Sequence, residues 1–388
     1  MRPSVFFQGN APMRLTLSAI AFAMLLAGCG GNSDAPPPQG GKPDPQLKRQ
    51  VNVYNWSDYI TPETLERFMR ETGITVVYDV YADNETLDAK LVAGQSGYDV
   101  IFPSAPFAQQ HILNNLYAPL DRTALTNIGN IEPSLMLGLE AADPGNVHLV
   151  PYMWGTTGIG YNIQKVREVL GPDVTLDSWA MIFDPAISSK LATCGIAMLD
   201  DQQEAFSAAL IYKGRDPNGM GNGEVKLVQE TFAPIRANIR YFNSSRYIDD
   251  LANGEICVAL GYNGDVLQAR DRAAEAGSGV EIGYVIPKEG AIRWIDAMAI
   301  PADAPHKAEA HEFINFMMTP DVIAPISEFV SYASANAAAK PLVAEDLRND
   351  PAVYPPDAVL SKLVDARKLP LEENDVRQRA WTSIKSGN

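Results

Sequence analysis

A chain of 388 residues, 46% hydrophobic and 20% charged, is long enough for one large or two medium domains with full cores. Its formal charge of −16 argues against nucleic acid and anionic lipid headgroups as partners and suits cationic ligands. No internal stretch reaches the roughly 18 apolar residues of a membrane-spanning helix.

The amino terminus stands apart from the rest. Arg2 and Arg14 come with no acid, and Leu15 to Leu26 is an almost unbroken apolar run that ends in Leu26-Ala27-Gly28-Cys29. Too short to span a membrane, residues 1–29 read as a signal peptide, with Met13-Arg14 as an alternative start. The Leu-Ala-Gly-Cys ending resembles the bacterial lipobox, which implies Cys29 as the lipidated first residue of the mature protein. Residues 30–49, rich in Gly, Asn, Ser, Asp, Gln and Pro, read as a flexible tether. A periplasmic body held to a membrane only through that anchor is the expectation.

The body begins with an alternating strand, Val51-Asn52-Val53-Tyr54, followed by Asn55-Trp56-Ser57-Asp58-Tyr59. Thr61 caps a helix with Pro62 at its first position, and Gly73 stops it. Ile74 to Val80 is a second strand. Asp83 caps a helix ending at Gly94, and Tyr98 to Phe102 is a third strand leading to Pro103-Ser104. This β-α-β-α-β order starts a doubly wound α/β lobe and brings Trp56 and Ser104 to one sheet edge, where such sheets bind ligands. Aromatic faces attract cations and a carboxylate hydrogen-bonds an ammonium, so a loop with Trp56, Ser57, Asp58 and Tyr59 suits a cation.

Leu149 to Asn162, rich in small residues, reads as a crossover or hinge. Its Gly158-Ile159-Gly160 lacks the third glycine of a dinucleotide fingerprint. Helical and strand patterns resume from about Val166 to Arg272, over Glu204 to Tyr212, Glu224 to Ile239 and a short strand from Ile256 to Gly261. Val280 to Ile286 and Ile292 to Ile300 read as strands, Glu309 to Met318 as a helix, and the carboxyl-terminal part as mainly helical. With Cys29 assigned to the lipid, Cys194 and Cys257 remain as an even pair in an exported chain. That favours a disulfide, the alternative being two buried free thiols.

Several chemistries find no support. There is no GxSxG or Walker A stretch. His311-Glu312-Phe313-Ile314-Asn315 has Asn where a zinc motif needs its second His, and none of the four histidines has a nucleophile-like context. Neither a metal, nor a cofactor, nor catalysis is expected.

Three stretches carry a family likeness: Val53-Tyr54-Asn55-Trp56-Ser57-Asp58-Tyr59-Ile60, Tyr98-Asp99-Val100-Ile101-Phe102-Pro103-Ser104, and Trp154 to Asn162. With Gly254 to Ala259, Ile286 to Gly290 and Trp381-Thr382, the chain resembles the bacterial periplasmic polyamine-binding proteins of ABC transporters over about residues 50 to 388. The resemblance implies an α/β, two-lobed periplasmic-binding-protein fold (type II) that closes on its ligand. Lobe one would take 50–155 plus 275–335, and lobe two 156–274 plus 336–388. The family's paired cysteines fall on Cys194 and Cys257. Its binding pattern falls on Trp56, Ser57, Asp58, Tyr59 and Ser104, with Phe107 close behind. It continues on Glu204, Ser244 and Asp265 from the second lobe, then on Trp294, Asp296 and Tyr332.

A chain of methylenes with ammonium groups calls for an aromatic box and carboxylates at its charges. Three departures from the putrescine branch bear on specificity: Tyr262 where that branch usually has Trp, Trp294 where it often has Phe, and the added carboxylate of Asp201. They favour a ligand with a third charge, spermidine over putrescine. A monomeric receptor delivering polyamine to ABC permease subunits is the reading; a sensor subunit presenting it to a membrane signalling partner would use the same pocket.

Overall fold

The computed structural model describes residues 49–387, Ala82 excepted. The signal segment with Cys29, and the tether up to residue 48, lie outside the described residues. Among the described residues, eleven strands form the framework: β1 (Gln50–Trp56), β2 (Thr75–Tyr81), β3 (Val100–Ile101), β4 (Val150–Asn162), β5 (Ile196–Met198), β6 (Ile239–Phe242), β7 (Val258–Tyr262), β8 (Ile282–Val285), β9 (Ala291–Met298), β10 (Ala333–Ser334) and β11 (Leu363–Asp365).

The first lobe starts as the sequence pattern requires. Helix α1 (Pro62–Thr72) is capped by Thr61, whose Oγ1 accepts from Thr64 N at 3.2 Å, and ends at Gly73 with φ +71°. That left-handed conformation is one glycine adopts without strain, and its N–H closes on Met69 O at 3.0 Å. Asp83 Oδ1 caps helix α2 (Asn84–Val92) through Thr86 N at 2.7 Å. Both crossovers return parallel strands, giving the order β2-β1-β3. Helix α3 (Ala105–Leu113) follows β3 directly.

β4 ties the two halves together. Its first half, Val150 to Thr156, pairs antiparallel with β9, and its second half, Thr157 to Asn162, pairs with β7 and β8. Twelve of its thirteen residues are buried, so a stretch of small residues that reads as a crossover is a continuous strand covered on both faces. It still crosses from one core to the other. The sequence pattern from Glu224 to Ile239 divides: Pro234 cannot continue the Asn222–Phe232 helix, and the chain passes through a short 3-10 turn into β6.

Two apolar cores follow. One gathers Val51 to Trp154 with Trp294 to Val353, and the other Ile159 to Ala291 with Ala380, Trp381 and Ile384. Ile282 of β8 therefore packs with the second core, and Ala339, Val343, Ala352 and Val353 with the first. Both placements differ from the division expected at residues 275 and 336: β8 pairs with the second half of β4, and the chain past residue 336 stays on the first core, Ala337 N donating to Asn130 O at 2.8 Å. Cys194 and Cys257 stand side by side in the second lobe, Cα atoms 5.5 Å apart.

Candidate functional site

The carboxyl ends of β1 and β3 face the places where β4 and β9 pass between the cores. Four carboxylates collect there: Asp201, Glu204, Asp265 and Asp296. Asp296 on β9 is buried and bridges two first-lobe hydroxyls; Tyr59 OH donates to Oδ2 at 2.8 Å and Ser104 Oγ to Oδ1 at 2.6 Å. Asp265 opens the Asn263–Glu275 helix. Tyr332 OH donates to its Oδ1 at 2.7 Å and Tyr247 OH to its Oδ2 at 2.8 Å. Asp201 caps the Gln202–Tyr212 helix, its Oδ1 accepting from Glu204 N at 3.0 Å, and Tyr262 OH reaches its Oδ2 at 3.5 Å. Glu204 is buried, and its Oε2 has no hydrogen-bond partner among the described residues.

Aromatic rings link these acids in a row. The Tyr59 and Tyr332 centroids lie 6.0 Å apart, Tyr332 and Trp294 4.9 Å, and Trp294 and Tyr262 6.0 Å, every pair close to edge-on. Two glycines make the row possible. A Cβ on Gly264 would stand 2.5 Å from the Tyr332 ring, and one on Gly155 would stand 2.3 Å from the Trp294 ring.

Hydroxyls bond Asp201, Asp265 and Asp296, and among the described residues no Lys or Arg bonds any of the four. Burial is the largest influence on all four and raises each pKa, Asp296 to about 6. For Glu204 the neighbouring charge of Asp201 pushes the same way. Carboxyl groups withdrawn from water, Glu204 pushed up to about 8, beside a row of aromatic rings, suit a cation with an apolar body, whose charge favours their ionised forms.

The residues read from sequence divide into two groups. Tyr59, Ser104, Asp201, Glu204, Tyr262, Asp265, Trp294, Asp296 and Tyr332 come together. Trp56 stands at the edge, its ring 4.8 Å from Tyr81 and its Nε1 donating to Phe102 O at 2.8 Å. Ser57 and Asp58 are exposed in a turn where Asp58 has φ +53°. Ser244 is exposed, its Oγ accepting from Asp200 N at 3.1 Å. Tyr247 was not foreseen. It is fully buried and packs where Gly261 lacks a side chain, a signal visible only once the strand and helix are paired.

Two α/β cores joined by strands that pass between them, with a polar site at the junction, define a type II periplasmic-binding-protein fold. A family model described as bacterial extracellular solute-binding protein matches residues 63–355, and the chain belongs to that family. It is similar to the putrescine-binding periplasmic protein of Pseudomonas aeruginosa, 47% identical across 96% of this chain and 98% of the relative. The putrescine-binding periplasmic protein of Escherichia coli is 46% identical across 88% and 92%. The spermidine/putrescine-binding periplasmic protein of Salmonella typhimurium is 34% identical across 80% and 84%. Among solved structures, the spermidine/putrescine ABC transporter substrate-binding protein of Streptococcus pneumoniae superposes with a TM-score of 0.76 at 26% identity, covering 87% of this chain and 99% of that one. All four relatives are named as binding proteins, and this chain is a binding protein and not an enzyme.

The raised Asp296 pKa fixes a pH dependence. The folded chain holds that proton more tightly than the unfolded one, so this group opposes folding above about pH 6, and the opposition fades as pH falls toward the ordinary carboxyl range. Asp296→Asn removes the charge and keeps the shape. Its melting temperature relative to the native chain should be higher at pH 7.5 than at pH 5; an equal difference at both values would contradict burial as the cause.

Proposed function

We propose that this chain is an extracytoplasmic receptor that captures a polyamine between its lobes and delivers it to an ABC permease. The observation that carries the reading is the row Tyr59, Tyr332, Trp294 and Tyr262, flanked by buried Asp296 and Glu204 and half-buried Asp265 and Asp201. Methylenes lie along ring faces, and ammonium groups meet the carboxylates. Each ring–ammonium contact in a site without water contributes about 2 kcal/mol or more. The names of the relatives, putrescine-binding and spermidine/putrescine-binding, support the same ligand class.

The ligand-binding residues in this reading are Tyr59, Ser104, Asp201, Glu204, Tyr262, Asp265, Trp294, Asp296 and Tyr332. Trp56, Ser57, Asp58 and Ser244 complete the proposed set from outside this cluster. Closure is the mechanism: a ligand that touches both lobes selects the form in which they meet. Cys29 carries a lipid that tethers the monomeric body to a membrane.

Asp201 supports a third ammonium, hence spermidine over putrescine, although the relatives above 45% identity are named for putrescine. Isothermal titration of the signal-less protein with both amines is the test. Tighter spermidine binding is expected; tighter putrescine binding would overturn the preference, and binding of neither would overturn the receptor.

We infer further that Cys194 and Cys257 are joined in the exported protein, a link across 63 residues of chain. In the chain-entropy model such a link stabilises by roughly 4 kcal/mol. Reduction should lower the melting temperature and release two titratable thiols; thiols that react in the unreduced, denatured protein would contradict the link.

A further inference from the structure

Lys368 lies in the connection between β11 and the helix Leu371–Ser386. That strap is fastened to second-lobe elements. Gln203 Nε2 donates to Arg367 O at 3.2 Å, and Arg367 N donates to Asn218 Oδ1 at 3.1 Å. The Lys368 side chain leaves its own lobe. Its Nζ stands 4.7 Å from the centroid of the Phe107 ring on α3. Glu85 and Asp88, one turn apart on α2, face the same ammonium. His111, one turn past Phe107, completes the notch, its Nε2 2.8 Å from Asp88 Oδ1. Burial lowers the pKa of both His111 and Lys368, and for Lys368 the charges of Asp88 and Glu85 oppose that lowering.

The notch sits at the rim of the binding site. Phe107 is one turn past Ser104, whose Oγ binds Asp296. Glu85 follows Asn84, whose amide exchanges two 3.2 Å hydrogen bonds with Ser104. A ring face beside carboxylates is also what the cleft offers a ligand, so the lobes meet through the chemistry they present to an amine.

We propose that Lys368 is a latch across the cleft: its ammonium docks on Phe107 and beside Glu85 and Asp88 when the lobes shut, and this contact prolongs the closed complex. It touches no ligand in this arrangement, so its effect falls on dissociation, and on every polyamine alike. This rests on the receptor reading above, and the measurements keep the two separate.

Stopped-flow kinetics of Lys368→Gln should show dissociation of putrescine and spermidine faster by roughly three- to tenfold, with association within about twofold. Phe107→Leu should do the same, whereas Lys368→Arg keeps a cation on the ring and should stay near the native rate. Unchanged dissociation in Lys368→Gln, or acceleration for one amine only, would overturn the latch. Should neither amine bind the native chain, the receptor reading fails and the latch is read from X-ray scattering of the ligand-free protein. A larger radius of gyration in Lys368→Gln supports it, and an identical radius overturns it.

Discussion

Buried and half-buried carboxylates held by hydroxyls, with no Lys or Arg bonded to them among the described residues, are the constraint that the rest of the site answers to. Asp296 is held by Tyr59 and Ser104, and Asp265 by Tyr247 and Tyr332. A hydroxyl donor orients a carboxylate without cancelling its charge. Burial then raises the pKa and leaves a field that a mobile cation can satisfy. Had an arginine stood beside either acid, the site would be already satisfied and an amine would gain little by entering. The unpartnered Glu204 Oε2 extends the same condition to the second lobe.

The scaffold explains why these acids meet at all. Asp296 comes from β9 and Asp265 from the first turn of the helix after β7, and both strands pair with β4. Because β4 exchanges β9 for β7 and β8 near Thr156 and Thr157, one continuous strand carries the register from one core to the other. A junction of this kind can bend while each core keeps its packing, as hinge closure requires. The Tyr332–Asp265 hydrogen bond joins the two cores directly, and Lys368 on Phe107 joins them again at the rim.

Much of the first lobe was legible because its signals are local. Thr61 before Pro62, Gly73 after Thr72 and Asp83 before Asn84 each satisfy backbone groups within one turn, so the boundaries follow from neighbours in sequence. β4 was harder, since Gly155, Thr156, Thr157 and Gly158 carry no strand signature; the packing of Trp294 and Tyr284 against those small residues is what requires them. The acids and rings of the site were found through their joint likeness to a family, because Trp294 or Tyr332 alone reads as core. Tyr247 escaped notice: its partner Asp265 lies on another helix, and no sequence spacing records that contact. Ser57 and Asp58 looked central beside Trp56, yet they occupy an exposed turn, because the strand runs through Trp56 and turns outward there.

If the buried acids bind an amine, ligand must stabilise the fold through them, since binding to the native state alone raises the melting temperature. The direct measurement is thermal unfolding of the native chain and of Asp265→Ala, each with and without putrescine or spermidine. The native chain should melt higher with amine, and Asp265→Ala should need at least about tenfold more amine for the same rise, as loss of a buried charge partner implies. No rise in the native chain, or an equal rise in both at equal concentration, would contradict the assignment of these carboxylates as the polyamine site.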